Sequence, residues 1–255
     1  MIEKLGLQLY SIRDFMTTEE DVRDAFAKIK KMGYDQVQAS RCALPHEKLA
    51  ELAKEAELEI IGVHENLDDI ENNFEEIRKL GTSNVGVGWG PCNSVEETES
   101  FIERANKAAK TLSEYGIKFT YHHHSHEFVR FENGKTAMDM LIEGLDPEKT
   151  SFVLDTYWIQ HGGGDIRYWI EKLAGRVDIL HLKDMKRGTN PDRLQPFAEV
   201  GSGNMNWKGI IESAEKSGVK YYVVEQDADW YPNCFASVKK SAEYLKNNFK
   251  YFHLR

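Results

Sequence analysis

Four short apolar runs in this chain end on residue types that bind metal ions. Each run is rich in β-branched or aromatic residues, a composition typical of buried strands. The residues that close the four runs are His122, Asp155, His181 and Glu225. The strands of a parallel barrel point their C-terminal ends at one common face, where functional residues collect. Two imidazoles and two carboxylates brought together there predict a divalent-metal site.

The mixed nitrogen and oxygen donors of this set indicate which ion it would hold. Magnesium prefers shells made of oxygen, whereas imidazole suits transition metals. We therefore expect one divalent ion, with Mn, Zn, Co or Fe favoured over Mg. Glu225 has a second, catalytic candidate role, because a carboxylate oxygen beside the metal could move a proton on and off a substrate carbon.

The histidine-rich tract from Tyr121 to Glu127 offers further candidates. Side chains alternate along a strand, so His122 and His124 share one face while His123 points the other way. We expect His124 to contact substrate beside His122, with Glu127 as another substrate-binding candidate of the same tract. His123 is expected to hydrogen-bond to loop backbone instead.

Asp155 allows two interpretations. An aspartate at a strand end commonly caps the next helix. Here the strand-like pattern continues to Trp158, and Asp165 is better placed as the cap. Asp155 is therefore expected to be free as a ligand, since a buried carboxylate requires a partner.

Lys183 also allows two interpretations. It shares a strand face with His181 and could act as a catalytic general acid or base if neighbouring charge lowers its pKa. Alternatively it forms an ion pair with Asp184 or Glu225, as structural lysines near active sites often do.

Other strand ends supply candidate substrate-binding residues. His64, at the end of the third predicted strand, could hydrogen-bond a substrate hydroxyl. Trp89 and Trp158 could form an apolar wall for the C–H face of a sugar, although aromatic residues at strand ends also serve simple packing. Gln8 lies on the first strand, which adjoins the last strand in a closed barrel and so places it near Glu225.

The chain supplies elements that would bring these strand ends together. Strand-like and helix-like segments alternate eight times over 255 residues. The predicted strands cover 4–11, 34–40, 59–65, 84–90, 118–124, 151–158, 178–184 and 221–227. Amphipathic stretches between them cover 19–32, 46–56, 70–80, 95–115, 136–144, 166–174, 207–217 and 235–249. Eight such units with no linker or composition shift predict one α/β domain over residues 1–255, a single (β/α)8 TIM barrel with a closed eight-stranded parallel sheet.

One connection is longer than the others. Residues 185–206, after the seventh predicted strand, contain two prolines and a glycine-rich segment. Loops of this length are often lids or substrate-contacting elements. The alternative is a surface excursion with a glycine-rich turn.

Composition narrows the classes of partner. The net charge of −9 disfavours nucleic-acid binding, which needs a basic face. Three cysteines without metal-binding spacing indicate reduced thiols in a cytoplasmic protein. The sequence shows neither a signal-peptide pattern nor an apolar stretch of membrane-spanning length. We therefore predict no membrane partner. A homo-oligomer is left open.

The motifs resemble those of xylose isomerase-like TIM barrels of the sugar phosphate isomerase/epimerase superfamily, of the AP endonuclease family 2 type. The resemblance covers essentially the whole chain. It is carried by the segments Gly6–Ser11, Tyr121–His124 with Glu127, Leu154–Thr156, His181–Asp184, Gly201–Gly203 and Glu225. It implies the barrel fold, a metal site at the strand ends and a small-molecule sugar or sugar derivative as substrate.

Within that superfamily, the resemblance to ketose 3-epimerases implies metal ligands Glu, Asp, His and Glu from strands five to eight. The last three match Asp155, His181 and Glu225, whereas His122 stands in place of the first glutamate. Epimerisation there uses two glutamates on opposite faces of the substrate. A second base in this chain would have to come from the residues Lys183, His124, Glu127 or His64.

The sequence therefore predicts a metal-dependent sugar isomerase or epimerase. Such an enzyme moves a proton next to a carbonyl, through an enediolate that the metal stabilises. An inosose dehydratase-like lyase is the alternative, because that branch also carries histidines in the fifth-strand tract. A catalytically inactive sugar-binding barrel is the non-enzymatic alternative, and its main support is His122. The absence of a clear basic cluster favours a substrate without phosphate.

Overall fold

The computed structural model describes residues 4–249, and eight strands of this part close into a parallel barrel. Each strand pairs with its neighbours in chain order, and the last strand pairs with the first. The strands are β1 (Leu5–Gln8), β2 (Gln36–Ala39), β3 (Glu59–Glu65), β4 (Asn84–Val87), β5 (Lys118–His122), β6 (Thr150–Asp155), β7 (Val177–Leu182) and β8 (Tyr221–Val224). The predicted (β/α)8 TIM barrel is confirmed.

Helices connect the strands and cover the outside of the barrel. They are α1 (Glu19–Met32), α2 (His46–Glu55), α3 (Leu67–Asn72), α4 (Phe74–Ile77), α5 (Val95–Ser113), α6 (Ala137–Gly144), α7 (Thr156–His161), α8 (Ile166–Lys172), α9 (Trp207–Lys216) and α10 (Cys234–Asn248). Short 3-10 segments cover Leu9–Phe15, Arg78–Leu80 and His126–Phe128. In residues 4–249, none of the helices is long and apolar enough to cross a membrane.

The interior of the barrel has an apolar layer below its functional face. Ile61, Val153, Ile179 and Val223 form a buried cluster separate from the main core. Because side chains alternate along a strand, Val153, Ile179 and Val223 share faces with the residues two positions later. Those residues are Asp155, His181 and Glu225. The barrel therefore presents three of the predicted ligands directly above an apolar floor.

The strand predicted over 151–158 is too long. Asp155, which was expected to leave the capping role to Asp165, also caps a helix. Strand β6 ends at Asp155, and α7 begins at the next residue. Asp155 Oδ1 accepts a hydrogen bond of 3.0 Å from the backbone N–H of Trp158 and caps α7. Asp165 caps the following helix, α8. The apolar, aromatic composition of Thr156–Trp158 fits a strand or a helix. The hydrogen bond from Trp158 N–H to Asp155 favours the helix.

The long connection over 185–206 is fixed at its root by Asp184. Asp184 Oδ2 accepts hydrogen bonds from Gly201 N (2.9 Å), Gly203 N (3.0 Å) and the Trp207 indole (2.7 Å). A Cβ on Gly203 would lie within 2.2 Å of Asp184 Oδ1, so the close approach requires glycine there. A short antiparallel ladder joins Asp184–Met185 to Phe197–Ala198. The connection over 185–206 is therefore anchored to the barrel through Asp184 and is not an open loop.

Candidate active site

The four predicted metal ligands converge at the C-terminal face of the barrel. His122, Asp155, His181 and Glu225 are buried, and one ligand atom from each lies within 4.8 Å of all the others. The strand register explains the placement, because Asp155 stands beside His181 in the β6–β7 pair. His181 in turn stands beside Val223, two residues before Glu225.

Three atoms of this cluster are buried and have no hydrogen-bond partner among residues 4–249: His122 Nε2, Asp155 Oδ2 and His181 Nδ1. His122 Nδ1 lies 3.1 Å from the Gly88 carbonyl and donates to it, which leaves Nε2 as a lone pair. His181 Nδ1 lies 2.9 Å from Glu225 Oε2, yet the pair lacks hydrogen-bond geometry. Unpaired buried polar atoms are costly. Converging lone pairs of this kind fit a bound divalent cation.

Lys183 extends the charged cluster. Its ammonium is 1% exposed and lies 3.1 Å from Glu225 Oε2, 3.4 Å from Asp155 Oδ2 and 2.6 Å from Asp227 Oδ2. Burial alone lowers the pKa of Lys183, but these carboxylates raise that pKa above its usual value. The condition set for a base, a lowered pKa, is therefore not met. Asp184 is not a partner, because its carboxylate anchors the long connection.

The same charges set the protonation of the ligands. Burial alone would raise the pKa of Asp155 and of Glu225, but Lys183 and the adjacent imidazoles hold both pKa values below their usual range. Burial lowers the pKa of His181, while Glu225 and Asp155 raise it, with a net value of about 9. The two carboxylates thus favour a proton on His181, and a bound metal ion would displace that proton from Nδ1.

We expect metal affinity to rise with pH between about 7 and 9. A metal ligand must lose its proton, and below the His181 pKa of about 9 the proton competes with the ion. The competition weakens about tenfold per pH unit until the pH reaches that pKa, which follows from one proton released per ion bound. Zinc titrations at several pH values, with proton release measured by calorimetry in two buffers, check this. An affinity independent of pH over this range would contradict it.

A cavity of about 450 Å³ opens beside the ligand cluster, and two of the four ligands, His122 and Glu225, line it. Of the residues predicted to contact substrate, His64, Trp89 and His124 line it, together with Lys183 and Glu225. Trp89 is 54% exposed and forms part of the rim. Burial and the neighbouring His122 lower the pKa of His124 to about 2, so its ring is neutral at physiological pH. The cavity therefore combines neutral imidazole, a carboxylate and an aromatic edge.

Three other predicted substrate contacts do not line this cavity, and their role in substrate binding stays a prediction. Glu127 is fully buried, and its oxygens accept hydrogen bonds from the Tyr121 hydroxyl (2.7 Å) and the His124 backbone N–H (2.9 Å). Trp158 packs against two residues of the site, with its ring centroid 4.9 Å from that of His124 and 5.1 Å from Lys183 Nζ. Gln8 is fully buried, and its side-chain Nε2 lies 3.4 Å from His64 Nδ1.

His123 behaves as strand alternation predicts. Its ring is fully buried and turned away from the ligands. The Nδ1 atom lies 2.9 Å from the His124 carbonyl, and Nε2 accepts a 3.0 Å hydrogen bond from the backbone of Asp155. His123 therefore ties the end of β5 to the end of β6 and helps to hold two ligands in place.

Two residues of the site escaped the sequence analysis. Asp227 lines the cavity and pairs with Lys183, and its Oδ1 is buried without a partner in the described part of the chain. Its position two residues after Glu225 was the available signal. Gln38, on β2, contacts His181 Nε2 at 2.6 Å from the opposite side of the barrel. No local pattern marks such a contact.

Comparison with known families agrees with the barrel fold. The model of xylose isomerase-like TIM barrels matches residues 26–248. The chain belongs to this family. An inosose dehydratase from Geobacillus thermodenitrificans is 26% identical over 170 residues, 61% of this xylose isomerase-like barrel and 56% of that protein. The chain thus spans little more than half the length of the relative it matches.

Solved structures show the same barrel. A sugar phosphate isomerase/epimerase from Parabacteroides distasonis superposes with a TM-score of 0.81 at 24% identity, covering 98% of this chain and 96% of that one. The IOLI protein with a binding zinc atom superposes with a TM-score of 0.67 at 14% identity, covering 98% of this chain and 100% of that one. At these identities the likeness shows the fold alone.

Proposed function

We propose that this xylose isomerase-like barrel is a divalent-metal-dependent enzyme that removes a proton next to a carbonyl of a sugar or sugar derivative. The observation that carries the proposal is the convergence of His122, Asp155, His181 and Glu225, two of which, His122 and Glu225, line a cavity. A divalent cation bound there would polarise the carbonyl oxygen and stabilise the charge of an enediolate. The donor set favours Mn, Zn, Co or Fe over Mg.

Glu225 is the residue we assign to proton removal. Its carboxylate faces the cavity and, with its pKa below the usual range, is ionised at neutral pH. Lys183 holds that carboxylate in position at 3.1 Å. Because the Lys183 pKa is raised, its ammonium stays charged and acts as a donor to developing negative charge rather than as a base.

The proton that completes the reaction has a candidate source in Asp227. Burial raises the pKa of Asp227, and its carboxylate lies 2.6 Å from Lys183 at the cavity wall. A carboxyl group of raised pKa beside an ionised carboxylate of lowered pKa, Glu225, gives one acid and one base in the same site. Glu127, which was a candidate second base, is occupied by Tyr121 and buried.

The number of carboxylates available as bases affects which type of reaction the site supports. Aldose–ketose isomerisation can proceed with one base, which removes a proton from one carbon and, after exchange with solvent, delivers a proton to the neighbouring carbon. Epimerisation through two carboxylates on opposite substrate faces has weaker support, because His122 replaces one of them. We therefore favour isomerisation over two-base epimerisation.

An inosose dehydratase-like lyase is the second candidate. The sequence likeness to an inosose dehydratase over 170 residues favours it. Dehydration would use the same proton removal by Glu225 and then expel a β-hydroxyl group, for which Asp227 or Lys183 would donate the proton.

One experiment separates these outcomes. Zinc- or manganese-loaded protein is incubated in D2O with a panel of ketoses, aldoses and inososes, and the products are analysed by NMR after protein removal. Deuterium at a carbon next to the carbonyl, without loss of water, supports the isomerase or epimerase. Loss of water to an enone or diketone supports the dehydratase. Metal binding without exchange on any substrate of the panel would contradict the enzyme proposal and favour a sugar-binding barrel.

A further inference from the structure

We propose that Gln38 is a positioning residue that sets which nitrogen of His181 faces the metal. The inference rests on the proposed metal site and extends it to a residue outside the ligand set. Gln38 lies on β2 and is fully buried. Its side chain crosses the barrel interior to β7, a strand that is not a neighbour of β2 in the closed sheet.

The contact between the two side chains determines the position of one proton. Gln38 Oε1 lies 2.6 Å from His181 Nε2. An amide oxygen only accepts hydrogen bonds, so Nε2 must carry a proton. When the imidazole is neutral, the other nitrogen, Nδ1, then has a free lone pair. That atom lies 2.9 Å from Glu225 Oε2 and 3.7 Å from Asp155 Oδ2, on the ligand side of the ring.

The other end of the amide contacts a second imidazole, that of His64. Gln38 Nε2 lies 2.8 Å from His64 Nε2, and an amide nitrogen only donates. Rotating the amide by half a turn would aim its N–H groups at His181 Nε2. The His181 proton would then move to Nδ1, where it would block metal binding. His64, at the cavity, and His181, at the ligand cluster, are thus connected through one buried amide.

The size of the effect follows from other metal sites. A histidine ligand generally donates its second N–H to an acceptor that fixes its tautomer and ring orientation. Loss of that acceptor typically lowers metal affinity by about 10–100-fold. In this chain the acceptor is a neutral amide oxygen that comes from across the barrel, 2.6 Å from His181 Nε2.

The test compares three variants by titrating cobalt(II) into chelator-treated full-length protein, followed by visible absorption. Gln38→Met removes the acceptor at similar volume and should weaken cobalt binding by about 10–100-fold with an altered spectrum. Gln38→Glu keeps an oxygen acceptor and should restore affinity close to that of the wild type. Gln36→Met is the matched control, because Gln36 is buried on the same strand but bonds to Glu59, away from the ligands.

Wild-type protein supplies a readout that no variant can compromise. In the zinc-loaded protein, nitrogen-15 NMR should show His181 protonated at Nε2 and metal-bound at Nδ1. Wild-type cobalt affinity and spectrum in folded Gln38→Met, or zinc bound at His181 Nε2, would overturn the proposal. Metal binding that depends on Gln38 in a protein without turnover would keep this inference and refute only the enzymatic function.

Discussion

Replacing Glu225 with glutamine is expected to lower the rate of substrate proton exchange by about 10²–10⁴-fold, the usual contribution of a general acid–base residue. The amide keeps an oxygen that can face a metal ion but cannot accept a proton at neutral pH. We therefore expect Glu225→Gln to retain part of its zinc affinity. Exchange of substrate hydrogen with D2O, measured on zinc-loaded variant and wild type, checks the rate.

The control for this variant is Glu199→Gln. Glu199 is also largely buried and also has a lysine partner, with Ser237 Oγ at 2.9 Å and Lys240 Nζ at 3.3 Å. It lies outside the cavity, so its replacement should leave exchange near the wild-type rate. A wild-type rate of hydrogen exchange in Glu225→Gln would show that Glu225 does not transfer the proton. Asp227 would then be the next candidate for that role.

Replacing Lys183 with methionine is expected to lower the free energy of unfolding by about 3–5 kcal/mol, the usual effect of removing one partner from a buried ion pair. The substitution leaves Asp155, Glu225 and Asp227 close together without the ammonium that neutralises them. A divalent cation at the ligand cluster would supply positive charge again. Zinc should therefore recover part of the lost stability, which urea unfolding with and without zinc measures.

Lys220→Met provides the comparison for Lys183→Met. Lys220 Nζ lies 2.9 Å from Asp178 Oδ2, but its side chain is 55% exposed. Asp178 also keeps Ser151 and Lys118 as partners. Its loss should cost less than about 1 kcal/mol. Equal losses in the two variants, or no response of Lys183→Met to zinc, would contradict the electrostatic role assigned to Lys183.

The ligand cluster was accessible from sequence because each member closes an apolar run. Alternating apolar and polar side chains along a strand, and a polar residue at the end of the strand, are local signals in the sequence. A parallel barrel brings four such strand ends together in one site. Asp155, His181 and Glu225 illustrate this, since each follows a member of the apolar floor by two residues.

The contacts that cross the barrel were not accessible in the same way. Gln38 meets His181 from a strand that is distant in both the sequence and the sheet order. Glu127 was predicted at the cavity because it follows the histidine tract, but a 3-10 turn over His126–Phe128 carries it to Tyr121 instead. Local pattern gives the strand face of a residue, whereas partners outside the strand depend on tertiary packing.

The double use of Asp155 has an evolutionary consequence. One of its oxygens caps α7 and the other faces the ligands, so its replacement uncaps a helix as well as removing a ligand. Replacing Glu225 leaves every cap in place. A descendant that abandoned the reaction but kept its fold would therefore retain Asp155 long after Glu225 had drifted. Genome surveys that count active members of such a lineage by Asp155 would therefore include inactive proteins. The residue at position 225, after the last strand, would separate active from inactive members.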